Sequence, residues 1–168
     1  MGILNIFKKS PPPTPAQVVK TKVLVVDDEQ YLRDFYQELL TQEGYDVTTA
    51  VDGQKALEAV MTNPPQVILL DIMMPVLDGF GYCERIRSDS GAQRMPIIVQ
   101  TALGDREDKL RALSCGADDF INKPIDREEL ILRVHVHLER YFMFQDNDEM
   151  FWTKHNISTR PNPTIPSA

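Results

Sequence analysis

Five polar residues stand just beyond short apolar runs. They are Asp27 and Asp28 after Lys22–Val26, Asp71 after Gln66–Leu70, Thr101 after Pro96–Gln100, and Lys123 after Asp119–Asn122. Taken singly, each has an ordinary explanation. Asp27-Asp28 could open a helix, Asp71 could start the turn before Pro75, and Lys123-Pro124 could belong to a loop. Together they form an unusual set. Three carboxylates brought within a few ångströms of one another repel, and either raise a pKa or demand a cation. Hard oxygen donors suit Mg²⁺, an ion that takes six oxygens and commonly bridges protein to phosphate. With such an ion, Asp71 could attack phosphorus as a carboxylate nucleophile, while Lys123 and the metal offset charge on the transferring group and Thr101 donates a hydrogen bond. The product would be an acyl phosphate.

That chemistry requires the five residues to meet, and the chain between them has the periodicity to bring them together. Lys22–Val26 is β-branched and apolar, and Glu29–Glu43 carries Leu32, Phe35, Tyr36, Leu39 and Leu40 at helical spacing. Asp46–Ala50 reads as a second strand, Gly53–Thr62 as a helix, and Gln66–Leu70 as a strand buried on both faces. Phe80–Arg87 is a further helix and Pro96–Gln100 a strand. Asp105–Cys115 is a helix closed by Gly116, and Asp119–Asn122 a short strand. A last helix starts with Asp126 as N-cap and Glu129 three residues on, a capping-box pair, and is expected to end near Tyr141. Alternating strands and helices imply a doubly wound α/β fold, a five-stranded parallel sheet covered on both faces. Ligands bind beyond the carboxyl ends of the strands in such sheets, and an assumed strand order of 2-1-3-4-5 places the five residues in one crevice.

Composition narrows the field further. The chain has 168 residues, and 42% hydrophobic content suits one globular domain with short extensions. Against 18 Lys and Arg stand 25 Asp and Glu, a net charge of -7, from which no direct DNA binding is expected. Cys83 and Cys115 lack metal-ligand spacing and read as buried thiols of a reducing compartment, the cytoplasm. No run is apolar for the ~18 residues of a membrane span. Residues 1–21 divide into an apolar-basic start and a linker containing Pro11, Pro12, Pro13 and Pro15. For residues 2–9 an unstructured start is favoured over a membrane contact, because so short a helix is marginal alone. The domain is expected to occupy 22–141, and 142–168, ending in Pro161, Pro163 and Pro166, to be a partly disordered tail.

The segments VLVVDDE (23–29), LLDIMMPVLDGF (69–80), TA (101–102) and KP (123–124) closely resemble the response-regulator receiver family, over about Lys22 to Tyr141. The resemblance implies a flavodoxin-like receiver fold and a two-component or phosphorelay switch rather than an enzyme, promoting only its own phosphorylation and dephosphorylation. It implies that Asp71 is the phosphoacceptor, served by a histidine kinase or histidine phosphotransfer protein. Asp27, Asp28, Asp71 and the Met73 backbone carbonyl would hold Mg²⁺, and Thr101, the Ala102 backbone and Lys123 would contact the phosphoryl group. Thr101 and Phe120 would act as switch residues, with Phe120 expected to be buried. Met73 and Leu103 would influence the lifetime of the acyl phosphate, and neither can position an attacking water through a polar group.

The run from Lys109 to Pro124, followed by EELILRV, also resembles receivers of winged-helix transcription factors. It implies a homodimer face on the fourth and fifth predicted helices, with Lys109, Asp119, Glu129 and Arg133 in paired positions. No winged-helix sequence follows, so a stand-alone receiver is expected. His135 and His137 point in different directions on one helix, and with His155 they are read as structural or exposed. An alternative is a receiver fold used constitutively as an adaptor with docking tails. A flavin or dinucleotide oxidoreductase is disfavoured, because Asp27-Asp28 would repel a pyrophosphate and no Gly-rich loop follows the first strand.

Overall fold

Alternation of side chains along the strands sets the architecture. In a computed structural model, described here for residues 20–154 except 90, 93, 103–109, 112 and 113, with backbone alone for 145–154, five parallel strands form one sheet. They are β1 (Lys22–Val26), β2 (Asp46–Ala50), β3 (Val67–Asp71), β4 (Ile97–Thr101) and β5 (Asp119–Asn122), in the order β2-β1-β3-β4-β5. Leu24, Val26, Ile68, Leu70, Ile97 and Val99 face one side, where they meet helices α2 (Gly53–Thr62) and α3 (Gly79–Ser88) through Ala56, Phe80, Cys83 and Ile86. The alternate residues Val23, Val25, Leu69, Ile98 and Ile121 face the other side. There they meet α1 (Gln30–Gln42) through Tyr36, Leu39 and Leu40, and the C-terminal helix (Arg127–Lys154) through Leu130, Val134 and Leu138. Every residue of β3 and β4 is buried, as suits central strands of a sheet covered on both faces.

Side chains at the helix starts fix where α2, α3 and the C-terminal helix begin, whereas α1 has no side-chain cap. Asp52 accepts the Lys55 N–H at 2.8 Å, Asp78 the Gly81 N–H at 2.8 Å, and Asp126 the Glu129 N–H at 2.9 Å. The expected capping box is half formed, because the Glu129 carboxylate turns to Arg133. Gly116, at φ +95°, takes the left-handed conformation that closes the segment before β5, as its sequence position implied.

Three boundaries shift with consequence. β3 and β4 end one residue later than expected, so Asp71 and Thr101 are the last residues of their strands rather than the first beyond them. The C-terminal helix does not stop near Tyr141. It continues to Lys154, so the segment expected as a tail from 142 is helical for its first thirteen residues. The polar composition of that stretch was misleading, because no Gly or Pro occurs between Pro124 and Pro161 to end a helix. Most of the helix expected at Asp105–Cys115 lies outside the described residues, although the Cys115 N–H donates to the Arg111 carbonyl at 3.0 Å in a helical turn.

One buried group breaks the apolar pattern. Gln100 on β4 is fully buried, in register with Asp71 and Ile121, and neither amide atom has a hydrogen-bond partner among the described residues. A buried unsatisfied amide costs about 1–3 kcal/mol. Gln100→Met is therefore expected to stabilise the domain by about 1–2 kcal/mol, read as a higher urea midpoint at unchanged slope. An unchanged or lower midpoint would show that the amide is satisfied in solution.

Candidate functional site

Because β1, β3, β4 and β5 are consecutive neighbours, their carboxyl ends converge on one crevice. One carboxylate oxygen from each of Asp27, Asp28 and Asp71 lies within 4.8 Å of the others. Asp27 is fully buried, Asp71 nearly so, and Asp28 is exposed. Lys123, on the loop after β5, places Nζ 3.0 Å from Asp27 Oδ2 and 3.4 Å from Asp71 Oδ1. Thr101 is buried at the end of β4, beside Asn122 in register, and Ala102 follows it at the surface.

Local structure holds these groups in place. Asp27 Oδ1 accepts the Glu29 N–H at 2.9 Å, which turns the chain from β1 toward α1. One turn into α1, Arg33 donates from Nη1 to the carbonyl oxygens of both Asp27 and Asp28, each at 2.8 Å. Arg33 therefore fixes the acidic pair from behind. Its role is not apparent from helical spacing, which weights apolar positions. After β3 the chain doubles back so that the Gly79 N–H donates to the Ile72 carbonyl at 3.0 Å. A Cβ at residue 79 would lie 2.5 Å from the Asp71 carbonyl oxygen and 2.7 Å from Ile72 Cα, so only glycine fits under the site. In the same loop Val76 sits at φ 70°, a strained conformation for a β-branched residue.

The electrostatics follow from burial and proximity. Burial pushes the Asp71 carboxyl above its ordinary value and the Asp27 charge adds to this, while Lys123 and the Met73 N–H act against it. Burial disfavours the Lys123 ammonium, but its contacts with Asp27 and Asp71 outweigh that and raise its pKa. Tyr36 of α1 is also raised, first by burial and then by Asp27 and Asp71, so its hydroxyl keeps its proton beside the carboxylates. Among the described residues one ammonium contacts two of the three carboxylates, leaving two negative charges uncompensated by direct pairing. An all-oxygen donor set with that residual charge fits a hard divalent cation such as Mg²⁺. Asp27, Asp28 and Asp71 would hold it.

The sequence matches the family model of the response regulator receiver domain over residues 23–135. The chain belongs to this receiver family. It is 47% identical over 121 residues to a Guillardia theta protein named "Probable transcriptional regulator ycf27", covering 72% of this chain and 46% of that one. It is 40% identical over 119 residues to the Synechocystis "DNA-binding dual master transcriptional regulator RpaA", covering 71% and 49%. The solved receiver domain of Francisella response regulator 1452 superposes with a TM-score of 0.68 at 37% identity, covering 72% of this chain and 98% of that structure. The chain spans about half the length of the curated relatives it matches.

Those relatives correct one expectation. Net acidity argued against direct DNA binding, yet a relative of this receiver is a DNA-binding regulator by name. Charge summed over a chain spanning half of such proteins does not bear on what the remaining half binds, so the expectation of no direct DNA binding is withdrawn.

Among the other expected residues, Phe120 is half-buried rather than buried, packed on the α2/α3 side of the sheet and in register with Val99. Asp119, Glu129 and Arg133 do come together, but pair within the chain. Arg133 Nη1 lies 2.8 Å from both Asp119 oxygens, and Nη2 lies 2.6 Å from Glu129 Oε1. Buried His137 joins them at 3.1 Å from Asp119 Oδ2, while His135 is exposed. Lys109, Leu103, His155 and residues 2–9 lie outside the described residues. The Met73 side chain is exposed. Among the described residues no helix is long and apolar enough to cross a membrane.

The raised Asp71 pKa has a direct consequence for stability. A carboxyl that holds its proton more tightly when folded favours the fold at pH below its unfolded value of 3.8, and that contribution is lost as pH rises through the folded pKa. In metal-free buffer near neutrality, Asp71→Asn should therefore unfold at higher urea than the natural chain. The gap should close well below the unfolded pKa and shrink on adding Mg²⁺. A less stable variant under chelation would contradict the electrostatic account.

Proposed function

We propose that this receiver is a phosphorylation switch, in which Asp71 accepts a phosphoryl group from a phosphohistidine or a small acyl phosphate. The observation that carries this reading is the contact of one lysine, Lys123, with both buried carboxylates at 3.0 and 3.4 Å, beside the exposed Asp28. An Asp71 oxygen attacks phosphorus, the bond to the donor nitrogen or oxygen breaks, and an acyl phosphate remains. Lys123 stands where it can move from the carboxylates to the new phosphoryl oxygens. The Thr101 hydroxyl and the Ala102 N–H are the donors at the end of the neighbouring strand. Mg²⁺ held by Asp27, Asp28 and Asp71, with the Met73 carbonyl as a further ligand, would supply charge neutralisation for the transferring group. Phosphorylation then repositions Thr101 and Phe120 and changes association with a partner or with a second copy. The charged cluster of Asp119, Glu129 and Arg133 is the surface for the latter, if its pairs exchange between copies.

The donor is proposed to be a histidine kinase or histidine phosphotransfer protein. A groove of about 450 Å³ beside Lys123, lined by Tyr31, Leu32, Phe35 and Ile125, supports this, because it offers apolar surface within reach of the acceptor. The names of the relatives support an output in transcription. Cysteines present as thiols rather than as a disulfide, together with an ATP-derived donor, fit a cytoplasmic setting.

Incubation with a radiolabelled small acyl phosphate should label the chain only with Mg²⁺ present. Asp71→Ala should abolish the label, and Lys123→Ala should lower it at least tenfold. Absence of label in the natural chain with donor and metal present would overturn the proposal. Because Met73 offers no polar group to orient water, the acyl phosphate is expected to outlast the scale of seconds, which the decay of the label measures directly.

A further inference from the structure

Cys83 and Cys115 are far apart in sequence and meet in the folded chain. Cys83 lies on α3, fully buried, and Cys115 immediately precedes the turn at Gly116 with 7% exposure. Both belong to the core on the α2/α3 side of the sheet, and each thiol is near enough to shift the ionisation of the other. An independent set of contacts holds the two segments together at this point. Arg87, one turn beyond Cys83 on the same helix face, donates from Nε to the Gly116 carbonyl at 2.7 Å and from Nη1 to the Met95 carbonyl at 2.8 Å. Its Nη2 lies 2.6 Å from Asp118 Oδ2, and that same oxygen accepts the Ile97 N–H at 2.8 Å. Packing is so close that a Cβ on Gly116 would fall 2.6 Å from Arg87 Cγ.

We propose that Cys83 and Cys115 are a redox-responsive thiol pair that closes to an intramolecular disulfide on reaction with a hydroperoxide, tying α3 to the turn before β5. The chemistry divides between them by environment. Cys83 and the N–H of Ala117 hold the Cys115 thiol below its ordinary value, against the effect of burial, so Cys115 is the one of the pair that ionises more readily. Cys83 is pushed up by Cys115 and by burial, and keeps its proton.

Cys115 thiolate attacks a peroxide oxygen. The S–O bond forms, the O–O bond breaks, and the departing oxygen takes the proton that Cys115 had released. The Cys83 sulfur then attacks the sulfenic sulfur, the S–S bond forms, the S–O bond breaks, and hydroxide leaves with the Cys83 proton as water. Two electrons pass from the thiols to the peroxide. A dithiol reverses the linkage.

The test treats the intact chain with hydrogen peroxide under native conditions, unfolds it, alkylates free thiols and maps the peptides by mass. The expected result is one cross-linked peptide pair containing Cys83 and Cys115 with two hydrogens lost and no alkyl groups. It should be reversed by dithiothreitol and absent in Cys83→Ser and in Cys115→Ser. The oxidised chain should also unfold at higher urea than the reduced one, since the link closes the loop 84–114. Alkylation of both cysteines after oxidation, sulfinic acid at Cys115 without a link, or a link between chains would each overturn the proposal. The natural chain alone decides these outcomes, whether or not the serine variants fold. Phosphoryl transfer plays no part in the readout, so the result stands apart from the reading of Asp71.

Discussion

Two buried carboxylates at the end of a parallel sheet repel each other, and Lys123 is what makes their closeness tolerable. Asp27 and Asp71 are each nearly inaccessible to solvent, and each touches the same ammonium. Removal of that ammonium would leave uncompensated charge in a low-dielectric setting, a far costlier arrangement than an exposed pair. The compensation is incomplete by design of the geometry. Lys123 reaches Asp27 more closely than Asp71, and burial outweighs its influence on Asp71. The crevice thus keeps an unmet demand for positive charge at Asp71.

The surrounding loops are shaped by that demand. Arg33 binds backbone carbonyls instead of carboxylates, so it fixes the acidic pair without neutralising it. Gly79 lets the chain fold back directly beneath Asp71, and the same short loop contains Val76 in a left-handed conformation. Strain of about 1–2 kcal/mol in one residue persists only where neighbouring contacts fix it. Here Leu77 supplies them, its carbonyl accepting the Gly53 N–H at 3.3 Å and its own N–H reaching the Pro75 carbonyl at 2.9 Å.

Much of this was legible in the sequence, because β1, β3 and β4 are short apolar runs whose ends carry the side chains of the crevice. Periodicity alone placed β1, β2, α2 and β5 at the residues where they occur. The convergence of Asp27, Asp28, Asp71 and Lys123 depended on strand order, which was assumed from fold class and is the order observed. What escaped was information carried by contact rather than by pattern. Arg33 and Tyr36 are unremarkable on a helical wheel, and the meeting of Cys83 with Cys115 depends on how α3 packs against the turn before β5. The C-terminal helix was cut short because polar residues were weighed more heavily than the absence of a breaker. Phe120 was expected to be buried, yet the edge position of β5 leaves it only half covered.

That edge position gives β5 a particular mechanical character. It hydrogen-bonds to a single neighbour, β4, and has only four residues, so backbone pairing alone holds it weakly. Side chains hold both its ends instead. At its start Asp119 is gripped by Arg133 and His137, and the carboxyl lies below its ordinary range because those hydrogen bonds outweigh burial. Just past its end the Lys123 N–H donates to the Thr101 carbonyl at 2.8 Å while Nζ reaches the acidic crevice. A strand of this length spans ~13 Å, and it joins the charged crevice to the C-terminal helix by one stretch of extended chain. Any displacement of Lys123 toward new negative charge at Asp71 therefore pulls on an element whose other end is tied to Arg133. The long C-terminal helix, which continues to Lys154, is the part of the described structure through which such a pull would extend beyond the sheet.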